Sequence, residues 1–123
     1  LDEAVDLVEY AMSYALNGDI LVLKAAACTI GDLARAVCEL FGKNTNIVNI
    51  GARSGEKMYE TLLTASEFEQ AIDLGNFYRI PSETQVSQAL GAELNSNTAT
   101  RLGVEQIKQK LLEIDYIKQQ LNI

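Results

Sequence analysis

Asn17-Gly18-Asp19-Ile20-Leu21-Val22-Leu23 is the stretch whose reading decides the fold. Its last four residues form a short apolar run with two β-branched members, which predicts a largely buried strand. Asn17-Gly18 is a stop signal for whatever precedes it. Upstream, Ala4, Val5, Val8, Ala11, Met12 and Ala15 recur mostly three and four residues apart, so residues 2–16 read as an amphipathic helix. Downstream, Thr29 is suited to N-cap a second helix, with Asp32 in its first turn and Gly42 after its end. Ile30, Leu33, Ala34, Val37, Leu40 and Phe41 form its expected inward face, beside Cys38. Ile47-Val48-Asn49-Ile50 is then a second expected strand.

Helix, strand, helix, strand is the pattern of an α/β unit with parallel strands, with α+β as the alternative. The expectation is a small mixed or parallel sheet with flanking helices. Two strands make a poor independent sheet. Partners would lie upstream of Leu1 or in Phe77-Tyr78-Arg79-Ile80, which Pro81 closes. A helix over residues 64–74, stopped by Gly75, is expected in between. Residues 82–100 are polar and weakly patterned. Val104, Ile107, Leu111, Leu112, Ile114 and Ile117 then mark a terminal helix over residues 104–121. The division this suggests is residues 1–81 as one lobe and 82–123 as a C-terminal extension.

Composition narrows the functional classes. In 123 residues the apolar share is 48% and the formal net charge is −7, which suits a globular domain and disfavours a nucleic-acid partner. The chain has 2 cysteines, Cys28 and Cys38, and no histidine, so a structural zinc site is not expected and free buried thiols are. No apolar run is long enough to insert into a membrane, and a cytoplasmic protein is expected. The start at Leu1-Asp2-Glu3, inside a helical pattern and without an initiator Met, is expected of a piece of a longer protein.

The chemistry concentrates in Gly51-Ala52-Arg53-Ser54-Gly55-Glu56-Lys57, directly after the second expected strand. Loops leaving strand ends are the usual ligand sites of α/β sheets. Arg53 offers a planar fork for phosphate oxygens, Gly55 allows a positive φ or close backbone approach, and Glu56 suits a ribose diol. The plain alternative is a polar loop in which Arg53 and Glu56 pair with each other or with solvent.

Arg53-Ser54-Gly55-Glu56-Lys57 followed by Met58-Tyr59-Glu60-Thr61-Leu62-Leu63-Thr64 resembles a signature of capsular-polysaccharide enzymes related to UDP-N-acetylglucosamine 4,6-dehydratase, which are extended short-chain dehydrogenases. Leu1-Asp2-Glu3-Ala4-Val5-Asp6-Leu7-Val8, Gly18-Asp19-Ile20 with Lys24-Ala25, Thr29-Ile30-Gly31-Asp32-Leu33-Ala34, Tyr78-Arg79-Ile80-Pro81 and Asn95-Ser96-Asn97-Thr98 with Arg101-Leu102 continue the likeness in order. Residues 82–94 match poorly. The resemblance implies the substrate-binding lobe of such an enzyme. Arg53 would contact the diphosphate of a UDP-sugar and Glu56 the uridine ribose, with Gly55 and Lys57 in the same binding segment. Tyr59 is expected as a packed ring with a bonded hydroxyl, and Arg79 in an edge salt bridge.

The resemblance also implies NAD(P) in the parent enzyme, but no cofactor is expected in this chain. It has no Gly-rich turn opening a strand-turn-helix unit. Four residues after Tyr10, Tyr14, Tyr59, Tyr78 and Tyr116 stand Tyr14, Gly18, Leu63, Ser82 and Gln120, so no Tyr-x-x-x-Lys pair exists. No catalytic residue is assigned. Two functions stay open: the UDP-sugar-binding portion of a 4,6-dehydratase or epimerase, and a free-standing non-catalytic binding or self-association module in which copies pair as a homo-oligomer. On either, the isolated chain given NAD(P) and UDP-N-acetylglucosamine shows no absorbance change at the nicotinamide band; a steady change contradicts this.

Overall fold

The computed structural model describes residues 2–44, 46–82 and 91–123. The chain divides into two compact units, each built from two stretches: Leu1–Ala25 with Tyr59–Ala99, and Ala26–Met58 with Thr100–Ile123.

In the first unit, helix α1 (Asp2–Tyr14) leads into strand β1 (Ile20–Leu23). Gly18, at φ +86, makes the turn between them. A Cβ there would also stand 2.7 Å from the Ser82 Cβ, so glycine is required twice over. Leu7, Tyr10 and Ala11 are half-buried, and the Tyr10 ring lies 5.3 Å from that of Phe77 on the neighbouring strand. Asp19 locks the corner. Its Oδ2 accepts from the Leu16 N–H at 2.9 Å and from Arg79 Nε at 2.7 Å, with the carboxyl side chain 1% exposed.

Strand β1 pairs antiparallel with β4 (Phe77–Ile80), in the register Ile20 to Ile80 through Leu23 to Phe77. Strand β4 pairs in turn with β3 (Ile72–Asp73), Ile72 facing Arg79. The sheet order is β1-β4-β3. The turn from β3 to β4 is too short for anything but an antiparallel return, and the Leu74 N–H donates to the Phe77 carbonyl at 2.9 Å across it. Strand β2 (Thr61–Leu63) pairs antiparallel with β5 (Leu94–Asn95). Leu63 and Ile80 are the buried apolar residues of this unit among those described.

Helix α3 (Ala65–Gln70) opens on a capping box, in which the Thr64 side chain accepts from the Glu67 N–H and Glu67 Oε2 accepts from the Thr64 N–H. The Phe68 ring meets Tyr78 edge-on at 5.5 Å.

In the second unit, α2 (Ile30–Leu40) packs on α4 (Val104–Leu112), and α5 (Asp115–Leu121) follows α4. The Thr29 side chain caps α2 by accepting from the Asp32 N–H at 3.0 Å. Its buried centre is Ala36, matched on α4 by Ile107. Lys108 Nζ reaches Glu39 at 2.9 Å between the two helices.

The fold is thus a mixture of helices and small sheets, as expected, in its α+β form. The parallel pairing implied by the alternating elements is corrected to antiparallel. The helix following β1 does not return the chain to the β1 sheet; it packs on α4 instead. Ile47-Val48-Asn49-Ile50 forms no strand, with Val48 70% and Ile50 79% exposed. The helix expected to reach residue 74 stops at Gln70, because Ala71 is extended and β-branched Ile72 is taken up by β4. Of the expected α2 face, Leu33, Ala34, Leu40 and Phe41 are half-buried while Ile30 and Val37 are exposed, and Ala36 is the buried residue of the helix. The terminal helix is broken at Ile114, itself exposed. Neither cysteine is disulfide-bonded, and both are half-buried rather than buried. Residues 83–90, within the weakly patterned stretch, lie outside the described residues.

Asp19, Glu67 and Asp73 are all held below the usual carboxylate range. The foremost causes are the Leu16 amide for Asp19, the Thr64 side chain for Glu67 and the Lys24 ammonium for Asp73. A depressed folded-state value stabilises above the unfolded carboxylate range, near pH 4, and is lost as pH falls through the folded value. The thermal midpoint is therefore expected to hold from pH 7 to about 5 and to fall steadily toward pH 2. Asp19→Asn is expected to lower the midpoint at pH 7 and flatten this acid slope. An unchanged slope contradicts the role given to Asp19.

Candidate nucleotide-binding loop

Residues 51–57 lie in the second unit, and every one of them is exposed. The loop is nonetheless shaped by its own hydrogen bonds. Asn49 Oδ1 accepts from the Gly51 N–H at 2.8 Å, with Gly51 at φ +75. The Glu56 N–H donates to the Arg53 carbonyl at 3.1 Å, closing a four-residue turn over Arg53, Ser54, Gly55 and Glu56. Gly55, third in that turn, has φ +83. That value is the signature of a type II turn, which demands glycine or asparagine at this place. A side chain on Gly55 would meet no atom within 4 Å, so glycine is kept there by its φ, not by crowding.

The Glu56 carboxylate closes the same turn from the other side: Oε2 accepts from the Arg53 N–H at 2.8 Å. The expected alternative of an Arg53–Glu56 pair is therefore met only through the backbone. Among the described residues no carboxylate pairs with the Arg53 guanidinium. Lys57 follows Glu56 directly, also exposed, and makes no ion pair among the described residues. Four exposed residues thus gather two cations, one carboxylate with a free oxygen, and a backbone bend. Such a set can grip an anionic group beside a diol.

Residues flanking the loop are placed differently from expectation. Tyr59 belongs to the first unit, and the residue is 50% exposed rather than packed. Glu60 is held by its backbone, its N–H donating to Ser96 Oγ at 3.1 Å and its carbonyl accepting from the Ser96 N–H at 2.9 Å. Arg79 makes the expected salt bridge, to Asp19.

The first unit has a cavity of about 240 Å³ lined by Glu3, Asp6, Leu23, Lys24, Gly75, Asn76 and Phe77. None of the residues singled out for binding borders it. Lys24 there is already engaged: its ammonium pairs with Asp73 and lies 4.4 Å from the Tyr78 ring centroid. Nothing in the local sequence of Lys24 signals this arrangement, because Asp73 and Tyr78 reach it only through the β1-β4-β3 pairing. Among the described residues there is no cluster of side chains able to hold a metal ion, and no helix long and apolar enough to cross a membrane.

Small antiparallel sheets with flanking helices make this an α+β fold, and the exposed glycine turn carries two cations. The sequence profile described as "Polysaccharide biosynthesis protein" matches residues 1–82. The chain belongs to this polysaccharide biosynthesis protein family. It is 40% identical to a UDP-glucose 4-epimerase of Rickettsia felis, in an alignment covering 98% of this chain and 39% of that protein. Identity to a UDP-glucose 4-epimerase of Rickettsia canadensis is 37%, with the same coverage of 98% and 39%. Among solved structures, Pen from Bacillus thuringiensis superposes with a TM-score of 0.73 at 30% identity, covering 98% of this chain and 36% of Pen. The chain thus spans 39% of the length of the curated relatives it matches.

Proposed function

We propose that this chain is the UDP-sugar-binding portion of an NAD(P)-dependent sugar-nucleotide 4,6-dehydratase or epimerase of surface-polysaccharide synthesis, an extended short-chain dehydrogenase. The observation that carries the reading is the turn at residues 53–56, which presents an Arg53 guanidinium without an ion-pair partner among the described residues. The family match, and relatives named for a UDP-sugar substrate, support the same ligand class. Arg53 binds the diphosphate, Glu56 the uridine ribose through its remaining oxygen, and Lys57 adds charge at the phosphate end. Gly55 supplies the bend. The capsular and UDP-N-acetylglucosamine specificity belongs to this proposal, as does the location in the cytoplasm.

The residues present do not fit a nicotinamide cofactor. The nearest two glycines among 8 are Gly51 and Gly55, so the G-x-G turn that cradles a dinucleotide cannot be formed by this chain. No chemical step is assigned to it. The division into residues 1–81 as substrate-binding stretch and 82–123 as extension is proposed along the sequence, with the family match over residues 1–82 in its support, and the two compact units cut across it.

A second reading, a non-catalytic self-associating module, draws on α1. Val5, Val8 and Met12 form an exposed apolar stripe there, Met12 being 85% exposed.

Removing a guanidinium that bonds an anion costs about 1.5–3 kcal/mol. A calorimetric titration with UDP is therefore expected to show Arg53→Ala binding roughly ten to a hundred times more weakly than the native chain. Equal affinity removes Arg53 from the site.

A further inference from the structure

We infer that Glu56 is the positioning residue for the Arg53 grip, in addition to its proposed contact with the ribose; the inference rests on the reading of residues 53–57 as the UDP-binding loop. The loop is exposed throughout, so packing does not hold it. What holds it is two reciprocal bonds between the same two residues. The Glu56 N–H donates to the Arg53 carbonyl at 3.1 Å, and Glu56 Oε2 accepts from the Arg53 N–H at 2.8 Å.

The second bond is charge-assisted and the stronger of the two. It repeats, outside any helix, the reciprocal logic of a capping box. With both made, the backbone of Arg53 is fixed at its N–H and at its carbonyl, and the bend at Gly55 follows. The direction in which the guanidinium leaves the loop is set by that backbone. One oxygen of Glu56 is thereby committed to Arg53, and the other remains for a diol. The two halves of a nucleoside diphosphate are thus read by groups that share one carboxylate, and the phosphate grip depends on a residue that never touches phosphate.

This arrangement makes a prediction opposite in sign to simple electrostatics. Removing a negative charge beside an anion site should strengthen anion binding. Removing a positioning group should weaken it, since a freed turn must be ordered on binding.

The test uses inorganic pyrophosphate as a probe that cannot engage the ribose contact, titrated against the native chain, Glu56→Ala, Glu56→Gln and Arg53→Ala. Glu56→Ala is expected to weaken pyrophosphate binding by about tenfold, the scale of one lost charged hydrogen bond. Glu56→Gln keeps an acceptor oxygen for the Arg53 N–H and is expected to bind pyrophosphate at least as tightly as the native chain. Amide exchange at Arg53 reads the bond without any ligand. It is expected to speed up in Glu56→Ala and stay near native in Glu56→Gln. Pyrophosphate binding by Glu56→Ala as tight as native, with Arg53→Ala weakened, overturns the positioning role and leaves the UDP loop standing. UDP and pyrophosphate affinities unchanged by Arg53→Ala overturn both.

Discussion

The carboxylate of Asp19 sits at the corner where α1 ends, β1 begins and β4 passes alongside. A charge withdrawn from water is tolerated only where its oxygens are fully engaged. Here the helix end supplies an amide and β4 supplies a guanidinium. Moving either would strand the acid, so the bond pair fixes how far β1 runs beside β4 and in which register. The tight approach of Gly18 to Ser82 and the aromatic contact between Tyr10 and Phe77 fit around that corner. The remaining apolar burial in this unit is small, with Leu63 and Ile80 as its buried apolar residues among those described. Polar ties therefore carry more of its definition than they would in a larger core.

Local signals in the chain were legible because their causes are local. Thr29 caps α2 by a bond within three residues, and Gly18 makes the turn between α1 and β1 at a positive φ that favours glycine, although α1 itself stops at Tyr14 rather than Leu16. The run Phe77-Tyr78-Arg79-Ile80 is a strand as its composition implies. The misreadings have a common origin in contacts between distant residues. Ile47-Val48-Asn49-Ile50 has strand composition, but a strand exists only where another backbone meets it, and none of those described does. Ile72 continues the apolar spacing of a helix, yet β4 offers its backbone bonds and takes it. The two stretches that build each unit are far apart in sequence, and no periodicity reveals such joining.

The candidate site was legible for the same local reason. Arg53, Gly55, Glu56 and Lys57 are contiguous, so the chain itself gathers them. What residue chemistry could not show is the use of each group. A glutamate oxygen suits a diol, a guanidinium or an amide equally well, and here one oxygen is bonded to the Arg53 amide. The loop thereby keeps a defined bend while exposed, and leaves its cations facing outward. That combination, in a chain of the polysaccharide biosynthesis protein family, is the basis for assigning the grip to residues 53–57.

Mapping UDP onto the chain by amide chemical-shift changes tests that assignment most directly. The largest changes are expected at the amides of Arg53, Ser54, Gly55, Glu56 and Lys57, saturating together as UDP is added. Changes centred instead on Leu23, Lys24, Asn76 and Phe77, or none at saturating UDP, would contradict it.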